Sequence, residues 1–316
     1  SVFGTVQVSA SSTSPTLDDK GTYPYFARTV PSDLGLQYAV TRYIHQHAWQ
    51  RAGILHSDGA HGRDFASKLS SSLADLGITA LAVPYAFASN NSHSIEEALA
   101  TVAAGGGASV PNIIVAVVNS VELSDIAALA SAKGLIGAGH HWIFTDGSQF
   151  VDGQDLTNGH LYDGSVAIFA AGDSTDNERW EVLHNLWHEL SWADLAANIT
   201  IPGGSLENVS WTFDRSSAHL GIYGSFGYDA MASLALALCE TKGDASADKL
   251  YPKLTGLTFS GASGSVEFGT KGSRDEKSAP FVLENVRFRD DDGLMSVVRT
   301  GVFDGTVWDV DALAPF

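Results

Sequence analysis

From residue 33 onward the chain alternates two apolar rhythms. Leu36, Val40, Tyr43, Ile44 and His47 fall at helical spacing, and Ala52-Gly-Ile-Leu-His56 is a short apolar run that ends in the turn Ser57-Asp-Gly-Ala60. Apolar residues three and four apart share one helix face, whereas a short continuous run suits a buried strand. Phe65, Leu69, Leu73 and Leu76 repeat the helical stripe, Gly77 is placed to end it, and Ile78 to Val83 reads as the next strand. This completes one βαβ unit. Ser94 with Glu97 three residues on has the form of a capping box, Ile95, Leu99 and Val102 give an apolar face, and Gly105-Gly-Gly107 ends that helix. Ile113 to Val118 is continuously apolar and rich in β-branched residues, the pattern of a strand covered on both faces. Leu123, Ile126, Ala127 and Ala130 predict a helix that stops at Lys133-Gly134, and Trp142 to Thr145 predicts a strand running into Asp146-Gly147.

Strands alternating with helices predict an α/β fold, a mostly parallel sheet with helices on both faces, and in such sheets ligands bind beyond the carboxyl ends of the strands. The polar turns Ser57 to Gly62 and Asp146 to Gln149 occupy such ends. Residues 150 to 227 are less regular, with one helix expected over Glu178 to Leu190. A clear helix returns at Tyr228 to Glu240. Thr258 to Phe268 and Phe281 to Phe288 alternate as strands, hairpin-like, about the turn-rich Gly269 to Lys277, and two short strands follow Asp290-Asp-Asp-Gly293.

Charge narrows the partners. Eighteen Lys and Arg against 36 Asp and Glu leave a net charge of −18 over 316 residues, and so acidic a surface repels phosphate backbones and anionic lipid. No nucleic-acid partner is expected. The apolar runs are shorter than the roughly 18 to 20 residues that span a bilayer, so the segment reads as soluble, with membrane attachment only through segments outside it. It does not open on a signal-peptide pattern, which places any such peptide outside the segment too. Cys239 is the sole cysteine, so no internal disulfide forms, and its setting in Leu234-Ala-Leu-Ala-Leu-Cys239 predicts a buried, inert thiol. Sequons at Asn90, Asn198 and Asn208 are a modest argument for a glycosylated, extracellular setting.

Several motifs stand in a familiar order. They are Ser9-Ala-Ser-Ser-Thr-Ser-Pro-Thr-Leu-Asp-Asp-Lys20 with Tyr23-Pro-Tyr-Phe-Ala-Arg-Thr-Val-Pro-Ser-Asp33, then Trp49-Gln-Arg-Ala-Gly-Ile-Leu-His-Ser-Asp58 with His61-Gly62. Thr145-Asp-Gly147, Tyr228-Asp-Ala230 and Phe259-Ser-Gly-Ala-Ser-Gly264 follow. Together they resemble the type I periplasmic-binding-protein superfamily, in particular its receptor branch: the ligand-binding regions of natriuretic-peptide, metabotropic glutamate and GABA-B receptors and of Leu/Ile/Val-binding proteins. The resemblance implies two α/β lobes, each a mostly parallel sheet with helices on both faces, and a small ligand held in the cleft with closure by hinge motion. Only eight residues precede the serine-rich loop, so lobe 1 is expected to lack its N-terminal part. It would be built from residues 1–35 and 210–255, and lobe 2 from 36–209 and 256–316.

The resemblance also implies the site. Ser11, Ser12 and Thr13 would offer hydroxyls and backbone groups to a ligand carboxylate or ammonium, although an ordinary turn uses the same residues to bond its own backbone. Asp33, His61 and Asp146 match positions that surround the ligand ammonium in the glutamate-receptor branch, where carboxylates make charge-assisted bonds to a cation. His61 departs from the tyrosine of that branch, and Val151 stands where it has a basic residue, which puts glutamate itself in doubt. Asp33 equally suits a helix N-cap before Leu34. Tyr223 and Phe226 precede an alanine-rich helix where aromatic walls line pockets, or pack the core.

Catalysis is not expected, because no G-x-S-x-G elbow, P-loop or G-x-G-x-x-G follows a strand. No cofactor or metal is expected either. His184 and His188 lie i,i+4 beside Glu189, but the order is not H-E-x-x-H and no third ligand is evident. The sequence therefore predicts the extracellular ligand-binding domain of a cell-surface receptor for a small polar ligand, an amino acid or related amine, with signalling by hinge closure. A homodimer, or a separate N-terminal segment completing lobe 1, are the other partners considered. The alternatives are the solute-binding protein of an amino-acid transporter and a non-catalytic module that binds a peptide or protein through a degenerate cleft.

Overall fold

The computed structural model describes residues 4–88, 91–148, 150–172, 177–189, 223–275, 281–303 and 305–310. Its strands in chain order are β1 (Gln7–Ser9), β2 (Phe26–Arg28), β3 (Arg51–Ser57), β4 (Thr79–Tyr85), β5 (Ile113–Val117), β6 (His141–Phe144), β7 (Val166–Ala170), β8 (Thr258–Gly261), β9 (Gly264–Glu267), β10 (Phe281–Phe288), β11 (Met295–Phe303) and β12 (Trp308–Val310). The α-helices are α1 (Asp33–Gln46), α2 (Ala60–Asp75), α3 (Ser92–Ala103), α4 (Leu123–Ala132), α5 (Glu178–Glu189), α6 (Gly224–Glu240) and α7 (Ala247–Thr255). The chain divides into two compact units. One comprises Ser1–Ser12, Leu17–Val30 and Ala171–Ala279; the other comprises Thr13–Thr16, Pro31–Ala170 and Pro280–Phe316.

The larger unit is built on an eight-stranded sheet in the order β12-β11-β10-β7-β6-β5-β3-β4. Strands β4, β3, β5, β6 and β7 are parallel, and β10, β11 and β12 extend the sheet antiparallel. Every residue of β5 is buried, as a strand with helices on both sides must be. One face packs Leu36, Val40 and Ile44 of α1 and Phe65, Leu69 and Leu73 of α2 against Ile54, Val115, Ile143 and Ile168. Val102 of α3 approaches the opposite side of β3, 3.5 Å from where a side chain on Gly53 would begin. The α/β fold with a large, mostly parallel sheet flanked by helices is therefore as the sequence predicts.

The smaller unit has less sheet. β1 and β2 pair in parallel, and β8 and β9 form an antiparallel hairpin. Ala27, Ala237, Leu250, Leu254, Val266 and Phe268 make its core. A buried network of Arg274 and Asp229 braces it. Arg274 donates to the carbonyls of Ser263 (3.1 Å) and Ser265 (2.6 Å), while Asp229 accepts the N–H groups of Ala262 (2.6 Å) and Ser263 (3.0 Å).

Four local expectations are corrected. Helix α3 starts at Ser92 behind Asn91, and the Ser94 hydroxyl accepts the Ala86 N–H (2.8 Å) instead of capping. The hairpin closes within 258–267, and β10 belongs to the large sheet, where β7 and β11 flank it. Helix α6 begins at Gly224, four residues before Tyr228. Cys239 is exposed, because α6 turns Phe226, Asp229, Ala230, Ser233 and Ala237 inward and the thiol falls on the other side. Among the described residues no helix is long and apolar enough to cross a membrane.

Candidate functional site

In the larger unit the parallel strands end around a cavity of about 230 Å³. Ser57 at the end of β3, Val117 to Asn119 at the end of β5, and Thr145 and Gly147 after β6 supply its floor. Gly59, Ala60 and His61 at the start of α2, with Phe87 beyond β4, supply its wall. The volume lies below the roughly 300 to 1,000 Å³ of pockets for drug-sized ligands, so the part of a ligand it encloses is small.

Its rim is tied down. The Ser148 hydroxyl donates to the Val118 carbonyl (2.8 Å), and the Ser120 N–H donates to the Gly147 carbonyl (3.0 Å), which joins the turns after β5 and β6. Buried Glu122 accepts the Tyr85 hydroxyl (2.5 Å), the Asn91 side-chain amide (2.6 Å) and the Asn119 N–H (3.0 Å). Gly62 lets α2 start directly against β3, since a Cβ there would lie 2.3 Å from the Ser57 carbonyl oxygen.

Asp33, His61 and Asp146 are brought together beside this cavity. Ser32, not Asp33, caps α1, accepting the Leu34 N–H through its hydroxyl (3.4 Å), and Asp33 is the first helical residue. This frees the Asp33 side chain, only 3% exposed, to meet the half-exposed imidazole of His61 at 3.3 Å, Nδ1 to Oδ2. The other Asp33 oxygen, Oδ1, is buried and makes no hydrogen bond. The hydrogen bond to Asp33 raises the His61 pKa to about 9, with the charges of Asp33, Asp146 and Asp64 adding to it and burial opposing. His61 is therefore an imidazolium at neutral pH.

Of the serine-rich loop, Thr13 accepts the Asp33 N–H at its carbonyl (3.0 Å). Ser11 and Ser12 are exposed, and both donate their N–H groups to the Ser9 hydroxyl, at 3.3 and 3.0 Å. The self-bonding turn thus falls to Ser9. Ser11, Ser12, Tyr223 and Phe226 belong to the smaller unit, and Thr13, Asp33, His61 and Asp146 to the larger. Tyr223 precedes α6 and is part-exposed. The Phe226 ring is fully buried, with the Arg274 guanidinium 5.6 Å from its centre.

Ser57, at the head of a turn the strand-end rule picks out, lines the cavity, as do Asn119 and Thr145, which the sequence reading does not put forward as site residues although the same rule covers them. His184 lies on α5 with its ring 5.7 Å from that of Trp180; the His188 side chain and the sequons at Asn90, Asn198 and Asn208 lie outside the described residues. Among the described residues no three His, Cys, Asp or Glu side chains converge as a metal site would need.

A mostly parallel sheet whose strand ends enclose a small cavity, bordered by two buried carboxylates, defines a ligand-binding α/β protein. The chain belongs to the receptor family ligand binding region, which matches residues 1–279. It is similar over 292 residues, at 24% identity, to metabotropic glutamate receptor-like protein E of Dictyostelium discoideum, covering 90% of this chain and 32% of that protein. Over 53 residues it is 45% identical to gamma-aminobutyric acid type B receptor subunit 2 of Homo sapiens, 17% of this chain and 6% of that protein. G-protein coupled receptor family C group 6 member A of Carassius auratus is 39% identical over 57 residues, 18% and 6% of the two chains. The chain thus spans a third or less of the length of each of these relatives.

Proposed function

We propose that this chain is the extracellular ligand-binding domain of a cell-surface receptor, non-catalytic, that takes a small polar ligand, an amino acid or a related amine. One observation carries the reading: the cavity at the strand ends is small and lies beside Asp33 and Asp146, two carboxylates that are both buried. Buried carboxylates favour a cationic partner, and a charge-assisted bond to an ammonium is among the strong ones. The names of the relatives, a gamma-aminobutyric acid type B receptor subunit and a metabotropic glutamate receptor-like protein, favour the same ligand class. In this reading Asp33 and Asp146 hold the ammonium. Signalling by hinge closure belongs to the same proposal, since a ligand shifts a conformational equilibrium only by its differential affinity for the two states.

Calorimetric titration of the full chain with the common amino acids and small amines tests it. A saturable signal that Asp146→Asn removes is expected. Silence across the whole panel from a folded protein removes this ligand class.

A further inference from the structure

The acceptor that would receive a ligand ammonium already has a cation. The His61 imidazole lies 3.3 Å from the Asp33 carboxylate and also lines the cavity, so one side chain touches both the anionic group and the ligand space. Asp33 is nearly sealed from water, whereas His61 keeps 46% of its side-chain surface exposed. A buried carboxylate without a counter-charge is costly, and the half-exposed ring that supplies it is free to swing out into solvent. The charged groups acting on the ring are Asp33 from the first turn of α1, Asp64 from its own helix and Asp146 from the turn after β6. All are acidic.

Resting on the proposed amine-binding function, we infer that His61 is a tethered cation that competes with a ligand's ammonium for Asp33 and so determines how strongly the cavity binds amines. An intramolecular partner acts at an effective concentration on the order of millimolar, so a weakly binding amine loses to the ring and only one with further contacts displaces it. The unbonded Oδ1 leaves the Asp33 carboxylate short of a hydrogen bond, which an ammonium with several N–H groups can supply once the ring has left. Once displaced, the imidazole loses the partner that holds its proton. Amine binding then expels one proton wherever the ring is charged in the free protein and neutral in the complex, and affinity climbs with pH by up to about tenfold per unit.

Two measurements on the full chain test this. In the first, the His61 ring is titrated by NMR in the ligand-free protein and in Asp33→Asn. A midpoint near 9 that falls toward the ordinary value of about 6.5 in the variant supports the pair. An ordinary midpoint in the unaltered chain overturns it without reference to any ligand.

The second is calorimetry with glycine, glutamate, 4-aminobutyrate and ethanolamine between pH 6.5 and 8.5, on the unaltered chain and on His61→Gln. Expected are binding roughly tenfold or more tighter in the variant at pH 7 and a pH slope present only in the unaltered chain. Equal, pH-independent affinities for both overturn the competition while leaving the amine-binding function standing. Absence of binding by both proteins overturns that function, and the competition with it.

Discussion

Arg28 and Asp18 meet as a buried ion pair, Nη2 to Oδ1 at 2.6 Å, beneath the loop that carries Ser12. The same guanidinium donates to the Ser12 carbonyl (3.1 Å) and to the Ser273 hydroxyl (2.8 Å), and Ser273 donates in turn to Asp18 (2.5 Å). One arginine thereby fixes stretches of the smaller unit that lie about 255 residues apart in the chain. The position of the serine loop is a consequence of this network.

Removing the carboxylate should therefore do more than delete one contact. Asp18→Ala leaves a fully buried guanidinium short of its counter-charge, which in other proteins costs about 3 to 5 kcal/mol. Chemical denaturation of the full chain should show the smaller unit unfolding at distinctly lower denaturant. A loss under about 1 kcal/mol would mean that Arg28 finds water or another acceptor, and that the network is dispensable.

The close approach of α2 to β3 predicts a second weak point. A Cβ on Gly62 would sit 2.3 Å from the Ser57 carbonyl oxygen and 2.6 Å from its hydroxyl. Gly62 is not in a left-handed conformation, so the demand is for space alone. Gly62→Ala should cost on the order of 1 to 3 kcal/mol, as overpacking does, and should move His61 with the helix start. A lower thermal midpoint together with a shifted His61 NMR signal is expected; an unchanged midpoint refutes the steric account.

Much of this was legible in the chain. Helices α1, α2 and α4 follow the 3.6-residue period, α2 and α4 with Gly stops at Gly77 and Gly134, and strands β3 to β6 follow their apolar runs, because both signals are local. The partners of strand β10 are not legible locally, because its pairing with β7 joins residues more than a hundred positions apart, which no short-range pattern encodes. Helix α7 carries Pro252 inside it, a residue that argues against a helix at the level of sequence. At the site, Asp33, His61 and Asp146 could be named from motif order. Their arrangement could not, since it depends on Ser32 taking the cap and releasing Asp33 to pair with His61. The exposure of Cys239 is not legible because α6 is apolar nearly all round, and composition alone cannot say which side faces the core.

Asp146 separates ligand readings that the fold leaves together. Asp146→Asn keeps the shape of the turn after β6 and removes one charge. If the cavity holds an ammonium, amine affinity should fall by at least about tenfold, the scale of losing a charge-assisted bond, while the thermal midpoint moves little. Unchanged amine affinity in a folded variant would falsify the assignment of Asp146 to the cation.

Two histidines of the larger unit should shape its stability in opposite directions. His141, at the start of β6, has its pKa lowered from 6.5 to about 4, first by burial and then by repulsion from His47. The unfolded chain therefore takes up this proton at a pH where the folded chain refuses it. The stabilisation is complete above about pH 6.5 and is lost as pH falls toward 4, by at most about 3 kcal/mol. His61, raised to about 9, behaves in reverse. Its contribution is complete below about pH 6.5 and is lost as pH rises through 9, and solvent screening of the half-exposed ring makes it the smaller of the two. The thermal midpoint of the larger unit should thus peak near pH 6 to 7. His141→Phe should flatten the acid side of that curve alone, and His61→Gln the alkaline side alone; a variant that altered the opposite side would show that other groups govern it.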